Sequence, residues 1–239
     1  MVDVTDPHFL QLLRIISPSK RNIYYTQMYH VNAIINREQK LDRLCGPPEE
    51  NTVVQIGGTE PEAMAQATKI LQSAGFPEVN INVGCPSSRV QAGSFGAVLM
   101  KTPERVHEIL KSISNIGVTI PITVKCRIGV DEYDSYEYLC EFLEAITNQT
   151  PVQHIIVHAR KAWLKGLSPE ENRRIPPLDY SRVYRLRQDF PHLKLTINGG
   201  IETVEQTREH LKTVHGVMLG RKIRENPMFL DTLDRGTYL

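Results

Sequence analysis

Short apolar runs alternate with amphipathic stretches along nearly the whole chain. Each run holds three to five residues and is rich in valine and isoleucine, which is typical of buried β-strands. The predicted strands are 23–26, 53–56, 79–83, 122–126, 155–157, 195–197 and 217–219. The stretches between them carry apolar residues at helical spacing and predict helices at 6–16, 61–74, 103–114, 135–147 and 204–211.

Repeated β–α units predict parallel strands joined by right-handed crossovers, in a closed barrel or an open doubly wound sheet. Neither G-x-G-x-x-G nor G-x-x-x-x-G-K-[ST] occurs, so the usual nucleotide-binding signs of the open sheet are missing. A length of 239 residues without a linker therefore favours one domain, 1–239, with the (β/α)8 TIM-barrel fold. We expect the first strand, which should precede the helix at 6–16, to be largely missing, with only Met1 and Val2 remaining of it.

Composition narrows the classes of protein further. The four cysteines show no spacing typical of a zinc site or a disulfide framework, so we expect no metal and a reducing compartment. No secretion signal and no apolar run of membrane-spanning length occurs, which predicts an intracellular protein, in the cytoplasm or an organelle, without membrane partners. A net charge of +1 neither favours nor excludes nucleic acid, since binding needs only a local patch.

The most informative motif follows the third predicted strand. Residues 82–90 read Asn-Val-Gly-Cys-Pro-Ser-Ser-Arg-Val, and a glycine-containing run follows at 93–100. Pro86 ends the strand, so Cys85 is predicted at its carboxyl end, where barrel and open-sheet enzymes place reactive groups. A lone cysteine is more often a small core residue. The neighbouring Asn82, proline and glycines favour a functional role.

Polar residues and glycines end several other strands at the same predicted edge. Gln55, Lys125 and His158 end three of them, and an ammonium in an apolar strand indicates an anionic neighbour. Glycines end the last two strands, at Asn198-Gly199-Gly200 and Gly220-Arg221. Barrel phosphate sites commonly form there, so the pair predicts a phosphate-bearing cofactor. Taken singly, a Gly-Gly turn or a core histidine would be structural.

A basic segment follows His158. Its cations are Arg160, Lys161, Lys165, Arg173 and Arg174, against Glu170 and Glu171. Trp163 lies among them and could stack on a base, although a lone tryptophan is more often a packing residue. A charge cluster is usually a solvated loop, but at a barrel mouth it predicts salt-dependent phosphate contacts with RNA, Lys161 among them.

Together these blocks resemble the tRNA-dihydrouridine synthases, in particular the bacterial A-type enzymes. The resemblance covers nearly the whole chain and rests on 82–100, 124–129, 157–164, 176–180, 198–201 and 217–221, followed by Asn226-Pro227. It implies an FMN-dependent barrel with Cys85 as catalytic acid. The implied FMN contacts are Met1, Val2, Gln55, Lys125, His158, Asn198, Gly199, Gly200, Gly220 and Arg221. The expected tRNA contacts are Asn82 and Lys161, with Arg173 from the basic segment.

The resemblance also implies a reaction. In that family FMN, reduced by NADPH, delivers hydride to C6 of a tRNA uridine, and the cysteine protonates C5. A thiol suits this role because its reference pKa of ~8.5 leaves it protonated at neutral pH. The target uridine must first unstack from its neighbouring bases and turn into the pocket. Against the family pattern, we expect a chain truncated at both ends, without most of the first strand and without the C-terminal helical domain that grips tRNA.

Two other functions remain open from the sequence. A dihydroorotate dehydrogenase-like FMN barrel acting on a free pyrimidine would share the cysteine loop and the Gly-Gly turn. Residues 93–96 and 158–161 match the tRNA enzymes better. The second alternative is a non-catalytic RNA-binding barrel, which a flavin absorbance spectrum of the purified protein would disfavour.

Overall fold

The computed structural model describes residues 1–237 and has an α/β architecture. One sheet contains seven strands, each parallel to the next in sequence. The strands are β1 (Tyr24–His30), β2 (Thr52–Gly57), β3 (Glu78–Asn82), β4 (Ile122–Arg127), β5 (His154–His158), β6 (Lys194–Asn198) and β7 (Gly216–Met218). All seven predicted strands are confirmed. The largest difference is in β1, which continues to His30 past a register shift between Tyr25 and Met28.

The helices cover the outer face of the sheet. They are α1 (Pro7–Ile16), α2 (Val31–Ile35), α3 (Leu41–Cys45), α4 (Pro61–Ser73), α5 (Ser88–Ala92), α6 (Pro103–Asn115), α7 (Tyr136–Thr147), α8 (Tyr180–Asp189), α9 (Val204–Leu211), α10 (Arg221–Glu225) and α11 (Phe229–Thr237). Proline opens α4 and α6, where its missing N–H has no helical partner to lose. Thr203 and Gln206 form a reciprocal cap at the start of α9. The bounds of α1, α4, α6, α7 and α9 agree with the five predicted helices to within one or two residues, so these predictions are confirmed.

The two faces of the sheet differ in polarity. In β3, Val79 and Ile81 belong to the main apolar core beneath the helices, whereas Asn80 and Asn82 bond polar side chains of neighbouring strands. Successive strand residues point to opposite faces, so the inner face is polar. The sheet curls around that face, and Lys125 on β4 reaches across β5 to Asn198 on β6. Polar groups inside the curl meet at the carboxyl ends of the strands.

The first of the eight barrel strands, expected to be largely missing, is not formed within residues 1–237, so an eight-stranded barrel is not confirmed. Residues before α1 form a turn, in which the N–H groups of Val4 and Thr5 donate to the Met1 carbonyl at 3.1 and 3.0 Å. This turn lies between the outer strands: Gln27 of β1 donates to the Thr5 carbonyl at 2.9 Å, and Met1 contacts the Gly220 region after β7. The result is a curled, seven-stranded parallel sheet, consistent with a TIM-barrel-like fold.

A second, smaller core closes the gap between β1 and β7. It joins Leu10 and Leu13 of α1 and Tyr24 of β1 to Ile223 of α10 and to Phe229, Leu230 and Leu233 of α11. Ser17 and Asn22 add hydrogen bonds to the Asp234 carboxylate. Within residues 1–237, no helix combines the length and apolarity required to cross a membrane.

Candidate active site

Cys85 lies on a turn that Asn82 holds in place. The Asn82 side-chain carbonyl accepts from the backbone N–H groups of Gly84 and Cys85 at 3.1 and 3.0 Å. The Asn82 amide donates to the Gln55 carbonyl oxygen at 2.9 Å. The half-buried thiol lies 3.7 Å from the Ser87 hydroxyl. The sequence motif therefore gives a cysteine presented at the end of β3 on a fixed backbone.

Five cations line the mouth of the sheet beside this turn, and we call them the mouth cations: Lys125, Arg127, Arg160, Arg173 and Arg221. None forms an ion pair with a carboxylate within residues 1–237. Burial, and then the neighbouring positive charges, lower the pKa of Lys125 to about 8 and that of Arg127 to about 10. Buried cations without counter-charge are costly, so this group suits an anionic ligand.

Three buried nitrogens at the same mouth have no hydrogen-bond partner in the described chain: His158 Nδ1, Arg160 Nε and Arg173 Nε. Buried polar atoms are rarely left unpaired, and each one requires an explanation. Burial, and then the charges of Arg127 and Lys125, hold the pKa of His158 well below its usual range. The imidazole is therefore neutral at neutral pH and has both a donor and an acceptor nitrogen.

The turn after β6 requires glycine, because its backbone adopts positive φ and lies close to Leu178 and His158. Gly199 and Gly200 have φ of +118° and +66°, and a Cβ on Gly200 would lie 2.5 Å from a methyl group of Leu178. The Tyr180 hydroxyl donates to the Gly199 carbonyl at 2.6 Å. Lys125 donates to the Asn198 side-chain carbonyl at 3.0 Å. The turn is thus fixed against Lys125 and His158.

Arg221 and the basic segment meet at the other side of the mouth. The Arg221 guanidinium donates to the Arg173 main-chain carbonyl at 3.1 Å, and its charge is near enough to act on the Arg173 side chain. Burial, and then the Arg221 charge, lower the pKa of both Arg160 and Arg173. A phosphate, with several strong acceptor oxygens, is the chemistry that such a cluster fits.

Lys161 differs from the mouth cations because its charge is compensated. Its ammonium lies 2.7 Å from the Asp134 carboxylate, donates to the Asp131 carbonyl and lies 4.1 Å from the centre of the Trp163 ring. Lys101 is paired in the same way with Asp131 at 2.7 Å. We call Lys101 and Lys161 the paired lysines. The prediction of Lys161 as a free phosphate contact did not anticipate this pairing.

Comparison with known proteins decides the family. The sequence profile of the dihydrouridine synthase (Dus) family matches residues 1–238. The chain belongs to the dihydrouridine synthase family. Curated relatives named tRNA-dihydrouridine(20/20a) synthase include those of Escherichia coli O6:H1, with 48% identity over 98% of this chain and 70% of the relative, and of Yersinia pestis, with 46% identity over 98% and 67%. The relative from Pasteurella multocida is 49% identical over 92% of this chain and 66% of its own length.

Most of the residues predicted for a dihydrouridine synthase site come together at this mouth. Cys85, Asn82, Gln55, Lys125, His158, Asn198, Gly199, Gly200, Gly220, Arg221 and Arg173 all lie at the carboxyl ends of the strands or in the loops that follow. Burial, and then the charges of Lys125 and Arg173, lower the pKa of the Met1 amino group to about 5, so Met1 is also there. The side chain of Val2, the remaining predicted FMN contact, is 48% exposed. Among residues 1–237, no group of three or more His, Cys, Asp or Glu side chains could hold a metal ion.

Arg127 is the principal site residue to which the sequence assigned no role, although it directly follows the fourth predicted strand. Its guanidinium donates to the carbonyls of Gly84, Lys161 and Asn172 at 2.9 to 3.1 Å and so ties the Cys85 turn to the basic segment. Gln91 makes a second tie, because its amide donates to the carbonyls of Pro86 and Leu164. The only local signal was period-two spacing, which puts Arg127 on the same inner face as Lys125.

Proposed function

We propose that this member of the dihydrouridine synthase family is an FMN-dependent enzyme that reduces the C5–C6 bond of uridine in tRNA with NADPH as reductant. The observation that carries the proposal is the position of Cys85, on a fixed turn beside the mouth cations and three unpaired buried nitrogens. The 48% identity to tRNA-dihydrouridine(20/20a) synthases supports the substrate. We extend the proposal to uridines 20 and 20a, and to the cytoplasm as the location.

FMN fits the residues that are present. The unpaired Nε–H groups of Arg160 and Arg173 need acceptors, which phosphate and flavin oxygens supply, and the unpaired His158 Nδ1 can donate to or accept from the flavin according to its tautomer. We assign the phosphate to Gly199, Gly200, Gly220 and Arg221, and the ring system to Gln55, Lys125, His158 and Asn198, with Met1 at the edge. When bound, FMN supplies the hydride, taken from NADPH, that reduces C6 of uracil.

The protein supplies the proton and the electrostatic field. The Cys85 thiol donates its proton to C5, which completes the reduction and leaves a thiolate. Lys125, Arg127 and Arg173 are near enough to Cys85 to interact with that negative charge and stabilise it. Asn82 fixes the backbone from which the thiol extends. One N–H of its amide donates to Gln55, and the second N–H is available to donate a hydrogen bond to the substrate.

The tRNA is proposed to approach over the basic segment. Asn82 and Cys85 lie at the base of the mouth, and Arg173 and Lys161 lie in the loop at its rim. Arg173 carries no ion pair within residues 1–237, so its charge is available to a phosphate, whereas Lys161 must exchange Asp134 for one. Trp163 is 37% exposed beside Lys161 and presents a stacking surface for an unpaired base.

The test is dihydrouridine formation on an unmodified tRNA transcript with FMN and NADPH, with the modified position mapped by mass spectrometry. Cys85→Ala should retain FMN but lose about 10²- to 10⁴-fold in product rate, the scale of a positioned proton donor. Cys140→Ala is the matched control, because Cys140 is a half-buried thiol on α7 outside the site. Equal rates for wild type and Cys85→Ala would contradict the acid role. A colourless, inactive wild type would instead favour the non-catalytic RNA-binding alternative.

A further inference from the structure

An unbroken chain of side-chain hydrogen bonds crosses the inner face of the sheet and ends at the Cys85 turn. It runs from Glu78 to Thr123 at 2.8 Å, to Asn80 at 2.9 Å, to Gln55 at 2.8 Å and to Asn82 at 2.9 Å. Asn82 then accepts the backbone N–H groups of the turn. The three middle members, Gln55, Asn80 and Thr123, are 9%, 0% and 2% exposed, so water does not compete with these bonds.

The direction of this chain is fixed at both ends, by the Glu78 carboxylate and by the backbone N–H groups of Gly84 and Cys85, which can only donate. A carboxylate only accepts, so the single hydroxyl proton of Thr123 is donated to Glu78 and the Thr123 oxygen accepts from the Asn80 amide. The Asn80 carbonyl is thereby turned to Gln55, and the Gln55 carbonyl to Asn82. Asn82 in turn directs its carbonyl to the Cys85 turn. Each amide orientation therefore agrees with those of both neighbouring residues in the chain.

The direction of these hydrogen bonds matters at the Cys85 turn, where the chain ends. If the Asn82 amide were reversed, an NH2 group would face the N–H groups of Gly84 and Cys85, and both bonds that fix the turn would be lost. The orientation of the Gln55 amide depends on the same sequence of hydrogen bonds. We infer that Glu78 and Thr123 are positioning residues, which act through Asn80, Gln55 and Asn82 to hold the catalytic turn and to orient the two amides beneath the ligand. This inference rests on the proposed function for its catalytic consequence but not for its structural one.

Thr123 offers the cleanest substitutions. Thr123→Val has the same shape without the hydroxyl and interrupts the chain, whereas Thr123→Ser retains it. Thr68→Val is the matched control, because Thr68 is equally buried on α4 and its hydroxyl bonds only the Met64 carbonyl. Glu78→Gln gives a second, milder break, since a glutamine side chain can donate as well as accept and no longer fixes the direction.

The first measurement is hydrogen exchange of the Gly84 and Cys85 amides in flavin-free protein at one pH. We expect Thr123→Val to reduce the protection of both amides by about tenfold, the scale of a lost buried hydrogen bond. Thr123→Ser and Thr68→Val should match wild type, and Glu78→Gln should lie between. Unchanged protection in both Thr123→Val and Glu78→Gln would overturn the inference, whether or not the protein is an enzyme.

The second measurement is single-turnover dihydrouridine formation by protein loaded with FMN and pre-reduced. We expect about a tenfold loss in Thr123→Val, restored in Thr123→Ser, with the flavin absorbance band shifted because Gln55 lies in the chain. Thermal unfolding midpoints of Thr123→Val and Thr68→Val should agree, which separates positioning from lost stability. Wild-type rate in a Thr123→Val protein with reduced amide protection would overturn the catalytic consequence. Absence of product in wild type would instead count against the proposed function.

Discussion

The mouth cations and the paired lysines differ in their surroundings. Lys101 and Lys161 lie against Asp131 and Asp134, at 2.7 Å in each case. Within the described chain, Lys125, Arg127, Arg160 and Arg221 donate to carbonyl oxygens, and none of the mouth cations pairs with a carboxylate. The paired lysines therefore stabilise the loops in the ligand-free protein. The mouth cations are stabilised mainly when an anion arrives.

The largest expected effect is at the phosphate end of the mouth cations. Arg221→Ala should weaken FMN binding by about 1.5–3 kcal/mol, because a charge-assisted contact is lost. Arg221→Lys should lie between, since an ammonium lacks the fork of the guanidinium. The measurement is quenching of FMN fluorescence on titration, with Lys101→Ala as the control from the other group. Equal losses at Arg221 and Lys101 would remove the distinction between the groups.

The second effect is a pH dependence that belongs to Lys125. Its pKa in the free protein is about 8, and contact with the acceptor atoms of the bound flavin ring raises that pKa because they favour the ammonium. FMN affinity should therefore be constant below pH 8 and fall as the pH rises above it, by at most about tenfold per pH unit. In Lys125→Met the affinity should be weaker and flat between pH 7 and 9. A wild-type profile without a fall above pH 8 would show that Lys125 does not contact the flavin ring.

The third effect is on the salt dependence of tRNA binding. Arg173→Ala should reduce the slope of log K against log salt by roughly 0.7–0.9, one phosphate contact. Lys161→Ala should reduce it by less, because Asp134 already neutralises that ammonium. Asp134→Asn should raise the slope by releasing Lys161. Filter binding across a salt series checks all three, and a larger change for Lys161→Ala than for Arg173→Ala would reverse the order of the two groups.

The smallest effect is on stability. Lys101→Met should lower the free energy of unfolding by about 1 kcal/mol or less, because partly exposed ion pairs contribute little. Asp131→Ala should cost more, since Asp131 also accepts the Leu164 N–H at 2.8 Å. Urea unfolding followed by the fluorescence of the single tryptophan, Trp163, gives both values. A loss of several kcal/mol in Lys101→Met would show that its pair is more than a surface contact.

The sequence was sufficient wherever the signal was local. Apolar runs predicted every strand, and the Asn82-to-Pro86 motif predicted a cysteine on a turn after β3. Long-range bonds were beyond such patterns: Arg127 contacts carbonyls 34 to 45 residues away, and Lys161 pairs with Asp134 27 positions earlier. The polar inner face was visible as Glu78, Asn80 and Asn82 at alternate positions. The role of this face depends on the curvature of the whole sheet, which a short stretch of sequence does not reveal.

The gap between β1 and β7 has a consequence for the order in which the molecule unfolds. Every other neighbouring pair of strands shares main-chain hydrogen bonds, whereas this junction depends on residues 1–6 and the small core of α1, α10 and α11. Opening there breaks few backbone bonds, so native-state exchange should show β1 and β7 opening below the global free energy of unfolding. The opened form presents two bare strand edges, which pair readily with another copy. Aggregation on warming should therefore start at this junction, before β4 and β5 unfold.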